Sequence, residues 1–273
     1  MSEKKIVLIT GASSGVGQET ARLLAQAGHV VFGTSRNPSK QEQPSDIQMV
    51  PLDLRSDESV RACVDIIIKQ AGRLDVLINN AGYLISGAIE ETTIEQGKEL
   101  FETNFFGVLR MCQAVLPIMR KQGQGQIINV SSLVGLNPVP FWGLYNASKF
   151  ALEGLTESLR HELKPLNITV AMLEPSFIKT QLAPSTQFSA NLLPDYELNR
   201  QWAWARIREH EEAGMEPRVA AEAIVKIVES KTPKLRHLLG KEVIYYRLRQ
   251  LVPTAMFENA TREYWNLDGK TKK

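Results

Sequence analysis

Cysteine is nearly absent from this sequence: Cys63 and Cys112 are the only two among 273 residues. Both fall inside helix-like apolar patterns, so neither a disulfide framework nor a thiolate metal site is indicated, and a reducing compartment fits. An excess of charge of either sign is missing too. The 32 basic residues against 30 acidic ones leave a formal net charge of +2, with no broad basic field to draw in nucleic acid. Long apolar runs are also lacking, since no window holds the ~18 unbroken apolar residues of a membrane span. Met1-Ser2-Glu3-Lys4-Lys5 leads straight into a short apolar strand ending at Gly11, which leaves no room for a secretory leader. Internal repeats and low-complexity segments are not visible. Together these absences give the expectation of a soluble, cytoplasmic protein that acts on a small molecule, with no nucleic-acid partner and no metal.

What is present suffices for a large core. With 43% of positions hydrophobic over this length, one α/β domain is expected across the whole chain. Ile6-Val7-Leu8-Ile9 is wholly apolar, as expected of a strand buried on both faces of a parallel sheet. It runs into Thr10-Gly11-Ala12-Ser13-Ser14-Gly15-Val16-Gly17, and Thr20, Leu23, Leu24 and Ala27 then mark an amphipathic helix. Strand, glycine-rich turn and helix together bring backbone amides close to a pyrophosphate. The spacing Gly-x-x-x-Gly-x-Gly differs from the common dinucleotide fingerprint and lacks the Gly-Lys of a P-loop. Gly11 to Gly15 also satisfies Gly-x-Ser-x-Gly, the nucleophile elbow of serine hydrolases. That rival needs a later acid and then a histidine; nothing singles out His161, His210 or His237, and Gly17 stays unexplained.

Apolar strands and helical patterns keep alternating, which predicts a doubly wound parallel sheet of the Rossmann type, with helices on both faces. The strand at 30–34 ends in Ser35-Arg36, where dinucleotide folds meet the adenosine ribose; an acid there accepts from the 2′-hydroxyl, and an arginine meets a 2′-phosphate. The acid is missing and Arg36 is present. Later strands deliver Asp53, then Asn79-Asn80-Ala81-Gly82, then Ser131-Ser132. Two helical stretches between Thr93 and Gln122 carry Asn104, which by itself reads as a surface residue, and Pro117, which bends or interrupts the second.

Tyr145 and Lys149 lie four residues apart at the start of a helix whose apolar face is Phe150, Leu152, Leu155, Leu159 and Leu163. One turn of helix puts the phenol and the ammonium on the same face. Moving a phenol from ~10 to about 7 needs roughly 4 kcal/mol. One positive charge at ~4 Å and an effective dielectric of ~20 supplies that much. The pair is therefore a candidate proton donor and acceptor.

In order along the chain, Thr10-Gly11-x-x-x-Gly15-x-Gly17, Asp53, Asn79-Asn80-Ala81-Gly82, Asn104, Ser132 and Tyr145-x-x-x-Lys149 resemble the motifs of the short-chain dehydrogenase/reductase family, from about Lys5 to Thr180. The resemblance implies an oxidoreductase that interconverts a carbonyl and an alcohol. Its catalytic residues are Asn104, Ser132, Tyr145 and Lys149; Ser132 and Tyr145 also hold the substrate oxygen. For the cofactor it implies the turn Gly11, Ser13, Ser14, Gly15, Val16 and Gly17 on the pyrophosphate, Asp53 on adenine and Asn80 near its ribose. Tyr145 and Lys149 are assigned to the nicotinamide side, and Ile178 and Thr180 to the carboxamide and phosphate. Arg36 points to NADP(H) over NAD(H). Ser14 stands where many NADP-dependent relatives carry a second base, so NAD(H) use remains possible. Ser176, where Pro-Gly is common, departs from the family. Homodimers or homotetramers are implied by analogy, built on the helices carrying Tyr145 and Asn104. A non-catalytic NADP(H)-binding sensor or interaction protein is the alternative function.

The cofactor and catalytic part is expected over about residues 5–180, a substrate lid over about 181–215, and a helical extension over about 241–273. Phe188, Leu192, Leu193, Tyr196, Trp202, Trp204 and Ile207 make the lid apolar. They either line a pocket for a steroid-, retinoid- or lipid-like substrate or pack the lid onto the domain. The mixed apolar and basic run from Val243 to Val252 is expected to pack on the protein rather than on a membrane.

Overall fold

The computed structural model describes residues 3–38, 46–179 and 186–267. Thr180, the start of the expected lid and the lysine-rich end lie outside the described residues. The first half contains β1 (Ile6–Ile9), α1 (Gly15–Gln26), β2 (Val30–Ser35), β3 (Ile47–Pro51), α2 (Asp57–Ala71), β4 (Val76–Asn79) and β5 (Leu84–Ser86). Next come α3 (Ile94–Phe101), α4 (Gly107–Gln122), β6 (Gly125–Val130), α5 (Gly143–Leu163) and β7 (Ile168–Pro175). The last part holds β8 (Thr186–Phe188), α6 (Glu197–Glu212), α7 (Pro217–Glu229), β9 (Arg236–Leu239), α8 (Val243–Arg249) and α9 (Thr254–Tyr264).

Seven parallel strands form the main sheet in the order β3-β2-β1-β4-β6-β7-β9, the doubly wound arrangement expected from the alternation of strands and helices. Successive side chains of a strand point to opposite faces, so an all-apolar strand feeds two cores. Val7 and Ile9 of β1 join Leu24 of α1 and Ile224 of α7. Leu8 joins Ile67 of α2, Val115 of α4 and Leu152 of α5. Strand order reverses between β1 and β4, which opens a crevice at the carboxyl ends of the strands.

Local signals set the helix ends. The Ser56 side chain accepts from the Ser59 amide, Asp57 and Glu58 occupy the first turn of α2, and Gly72 closes it at φ +73°. Thr93 and Gln96 form a capping box at the start of α3. The expected pair of helices around Asn104 is joined by a π-helical stretch, Glu102–Phe106, and Pro117 sits inside α4 without ending it. That stretch rotates Asn104 inward, leaving it 1% exposed, so the surface reading of this residue does not hold.

The lid segment is tied down by a short parallel pairing of β5 with β8, which sequence periodicity did not reveal. Among the described residues no helix is long and apolar enough to cross a membrane.

Candidate active site

Thr10, at the end of β1, binds the turn after β4. Its Oγ1 accepts from the amides of Asn80 and Ala81, each at 3.0 Å. Asn80 returns the contact, its Nδ2 donating to the carbonyls of Thr10 at 3.0 Å and Gly11 at 3.1 Å. Gly11 has φ +66°, and a Cβ there would come within 2.9 Å of Ala81. A Cβ on Gly17 would lie 2.2 Å from the Gly11 carbonyl oxygen. The glycine pattern therefore serves two purposes: Gly11 permits the turn and Gly17 lets α1 start directly beneath it. Ser14 makes no side-chain cap, and the first turn of α1 carries no acid, so its amides remain available to a diphosphate. The turn fits a dinucleotide.

A cavity of about 790 Å³ opens from this turn and gathers most of the residues singled out by sequence. Gly11, Ser13, Ser14, Gly15, Val16, Arg36, Asp53, Asn80, Ser132, Tyr145, Lys149 and Ile178 all line it. Two of the described candidates stand behind the wall instead. Gly17 is buried in packing, and Asn104 sits behind Gly82, where a Cβ would be 3.1 Å from Asn104 Oδ1 and 3.9 Å from Lys149 Nζ. Arg36 makes no ion pair among the described residues. Asp53 does, accepting from the Arg55 guanidinium at 3.1 and 3.0 Å, which holds its carboxyl below the usual range.

The chemical end is built by β6, the turn after it and α5. Ser132 Oγ lies 3.3 Å from the Pro175 carbonyl and faces the Tyr145 phenol. Lys149 Nζ lies 5.7 Å from the centre of the Tyr145 ring and donates to the Val130 carbonyl at 3.0 Å. Asn104 Nδ2 donates to the Tyr83 carbonyl at 2.8 Å and to Ser148 Oγ at 3.2 Å, bracing α5 beside Lys149. The phenol is not poised near neutrality as the pairwise charge argument expected. Burial pushes Tyr145 up to about 12, opposed by the Ser132 hydrogen bond, and pushes Lys149 down to about 8, opposed by Glu153. Desolvation outweighs the Ser132 hydrogen bond at the phenol and the Glu153 charge at the ammonium.

The profile of the family described as short chain dehydrogenase matches residues 5–189 of this chain. The chain belongs to that family. It is 41% identical to the 3-ketodihydrosphingosine reductase of Bacteroides thetaiotaomicron, over 96% of this chain and 98% of that protein. It is 36% identical to retinol dehydrogenase 8 of Bos taurus, over 85% of this chain and 80% of that one. A solved short-chain dehydrogenase from Streptomyces avermitilis superposes with a TM-score of 0.84 at 32% identity, covering 99% of this chain and all of that one. The cofactor of such a short-chain dehydrogenase is NAD(P)(H).

In this short-chain dehydrogenase the apolar wall of the cavity comes from a source that the sequence pattern did not indicate. None of the seven apolar lid residues lines it. Ile207 is core, Trp204 packs with it and donates to Ser86 Oγ at 2.8 Å, and Phe188 lies edge-on to Trp204. Ile207 and Trp204 pack the lid onto the domain, whereas Phe188 and Leu192 stay 55% and 50% exposed. The wall is supplied instead by Tyr245 and Tyr246 of α8, by Phe257 and Tyr264 of α9, and by Trp265. The outer side of the same segment keeps Ile244, Leu248 and Leu251 exposed.

Several charged groups of this short-chain dehydrogenase are visible only in three dimensions. Behind Lys149, Ser131 Oγ donates to Glu153, and Arg236 of β9 ties Glu153 to Glu174 and Glu157. In the cavity wall His210 stacks on Phe177 with centroids 4.7 Å apart and bonds Tyr264 Oη. Beside it Glu211 is 7% exposed, and its Oε2 has no hydrogen-bond partner among the described residues. Burial pushes that carboxyl up to about 7. A raised carboxyl pKa means the folded state holds the proton longer, so stability falls as pH rises from about 4.5 to about 7. Glu211→Gln should raise Tm by a few degrees above that window, on the order of 1–3 kcal/mol, and change little below it. Thermal melts across pH check this; an effect independent of pH would show that Glu211 is not a buried ionising group.

Proposed function

We propose that this enzyme is an NADP(H)-preferring reductase and dehydrogenase acting on long-chain, lipid-like carbonyl compounds and alcohols in the cytoplasm. The observation that carries the reading is one cavity joining Ser132, Tyr145 and Lys149 to an aromatic wall from the C-terminal helices. The names of the reductase and retinol dehydrogenase relatives support an apolar substrate. When bound, NADP(H) supplies or accepts the hydride. The turn Gly11, Ser13, Ser14, Gly15 and Val16 would hold its pyrophosphate, with Gly17 letting α1 start beneath it, Asp53 and Asn80 on the adenosine side and Ile178 and Thr180 on the nicotinamide side. Ser132 hydrogen-bonds the substrate oxygen, and Tyr145 gives its phenolic proton to the developing alkoxide, or takes the alcohol proton in the reverse direction. Lys149 holds the nicotinamide ribose and favours the phenolate. Asn104 positions α5 and the path by which the proton is replaced. Phe106 on the helical rod of α3 and α4 and Phe150 on α5 are 41% and 43% exposed, which supports a homodimer or homotetramer on that face.

Chain length is the direct test. Across ketones of growing alkyl length, kcat/KM should rise by roughly tenfold for every two methylenes buried, up to the cavity's end. A flat series would overturn the lipid-like reading. The cofactor choice has its own test, because among the described residues Arg36 is the cation without an ion pair at the adenosine end, while Arg55 is bound to Asp53. A charge-assisted bond to a 2′-phosphate contributes about 1.5–3 kcal/mol, roughly one to two orders of magnitude. Arg36→Ala should erase most of the NADP(H) preference, and Ser35→Asp with Arg36→Ala should reverse it. Wild-type preference for NAD(H), read as the ratio of kcat/KM values, would show that Arg36 points elsewhere.

A further inference from the structure

We infer that Glu153 of α5 and Arg236 of β9 are positioning residues for the reaction: together they hold the strand end that carries Ser132, and Glu153 sets a negative charge behind the Lys149 ammonium. This rests on the reading of Ser132, Tyr145 and Lys149 as the reacting groups and adds two residues that do not line the cavity.

Three successive residues at the end of β6 are held in three directions. Lys149 Nζ donates to the Val130 carbonyl at 3.0 Å, Ser131 Oγ donates to Glu153 Oε1, and Ser132 Oγ donates to the Pro175 carbonyl at 3.3 Å. Lys149 and Glu153 are four residues apart on α5, so they share a face of the helix. The turn after Ser132 lies against that face, since a Cβ on Gly135 would come within 3.0 Å of Glu153 Cγ and 3.1 Å of the Lys149 carbonyl oxygen. Arg236 closes the arrangement from the other side. Its Nη1 donates to Glu153 Oε2 at 2.5 Å and to Glu174 Oε1 at 2.8 Å, and Glu174 immediately precedes the Pro175 that accepts from Ser132. The second Glu174 oxygen accepts from the His237 amide at 2.9 Å.

Among the described residues the charges of this cluster balance when Lys149 is counted. Glu153 and Glu174 are 5% and 0% exposed and share one guanidinium, which leaves one buried negative charge over. Glu157, the third carboxylate on Arg236, is exposed and solvated. A surplus buried carboxylate is costly, and the ammonium on the same helix face compensates it. The other groups around the pair carry no charge at neutral pH: the Tyr145 phenol on α5, the Asn104 amide behind Gly82, and the His237 imidazole beyond Glu174, which burial keeps neutral. Glu153 therefore opposes the burial that lowers Lys149 to about 8. Glu174, pushed up to about 7 by burial and by the Glu153 charge, sheds its proton before the lysine does.

The test follows reduction of a saturated long-chain ketone from about pH 6 to about pH 9.5. Alongside it, the pKa of Lys149 is read without turnover, from the pH dependence of its acetylation by acetic anhydride, quantified by mass spectrometry. Glu153→Gln keeps an acceptor for Ser131 but removes the charge. It should move both the alkaline limb of kcat and the labelling pKa of Lys149 down by about one unit, with turnover at about pH 6 within roughly threefold of wild type. Ser131→Ala keeps the charge but releases the strand end, and should lower kcat by roughly tenfold at every pH with both pKa readouts in place. Arg236→Gln should lower kcat in the same way without moving the limb down, because it removes a positive charge. Glu157→Gln should change neither readout. Cofactor binding by each variant reports folding. A uniform loss at every pH in Glu153→Gln with the labelling pKa unmoved, or unchanged turnover in Ser131→Ala, would overturn the inference. No turnover of any ketone, or near-normal turnover by Tyr145→Phe, would sink the catalytic reading alone, and the labelling of Lys149 would still decide whether Glu153 holds its charge.

Discussion

Tyr145→Phe is expected to lower kcat by roughly three orders of magnitude while leaving the cofactor Kd within about twofold of wild type. The phenol is hydrogen-bonded to Ser132 in the wall of the cavity, and the substitution removes one hydroxyl and little volume. The ring contact with Trp142 survives it. Lys149→Ala should behave differently and weaken both turnover and cofactor binding, because Lys149 is 6% exposed and lines the same cavity as Tyr145 and the glycine turn. Burial has already lowered Lys149 to about 8, so the ammonium is held only loosely. Rates limited by the Tyr145–Lys149 pair should therefore depend on pH above neutrality, the lysine losing its proton as pH rises through about 8. Stopped-flow single turnovers and fluorescence titration of the cofactor separate the two effects. Near-normal turnover by Tyr145→Phe would remove the proposed proton transfer altogether.

What the sequence made legible was local or periodic. The apolar run of β1, the glycine turn and α1 form a contiguous pattern, and the Tyr145–Lys149 spacing lies within one helix, so reading along the chain found them. The π-helical stretch at Asn104 has no such signature, because a single added residue in a helical turn leaves composition unchanged and only rotates the next residues about the helix axis. The aromatic wall was misplaced for a related reason. Trp204 and Tyr264 look alike in sequence, and only tertiary packing decides that one is half-buried with its indole donating to Ser86 and the other lines the cavity. The phenol's acidity was misjudged because a two-charge estimate leaves out the desolvation that the fold imposes on both partners. Glu91 with Arg200 and Glu174 with Arg236 could not be paired at all, since 109 and 62 residues separate the partners.

Arg200→Met is expected to destabilise the protein by about 3–5 kcal/mol. Glu91 and Arg200 are 0% and 1% exposed, and the guanidinium donates to both Glu91 and Glu197. Glu91 also accepts from the amides of Ala88 and Leu193, each at 2.8 Å, so one carboxylate holds the turn after β5, the entry to α6 and α6 itself. Methionine fills much of the volume but leaves that carboxylate buried without its cation, and the turn and the helix entry lose their common anchor. Glu91→Gln with Arg200→Met should recover a large part of the loss, because the amide can still accept from Ala88 or Leu193 and no charge remains buried. The consequence reaches the cavity, since α6 also carries His210 and Glu211 into its wall. The single variant should therefore raise KM more than it lowers kcat, Tyr145 and Ser132 lying on other elements. Urea unfolding of the two variants decides the matter: a loss below about 1 kcal/mol for Arg200→Met would mean that the pair is dispensable and that α6 is held by the Ile207 and Trp204 packing alone.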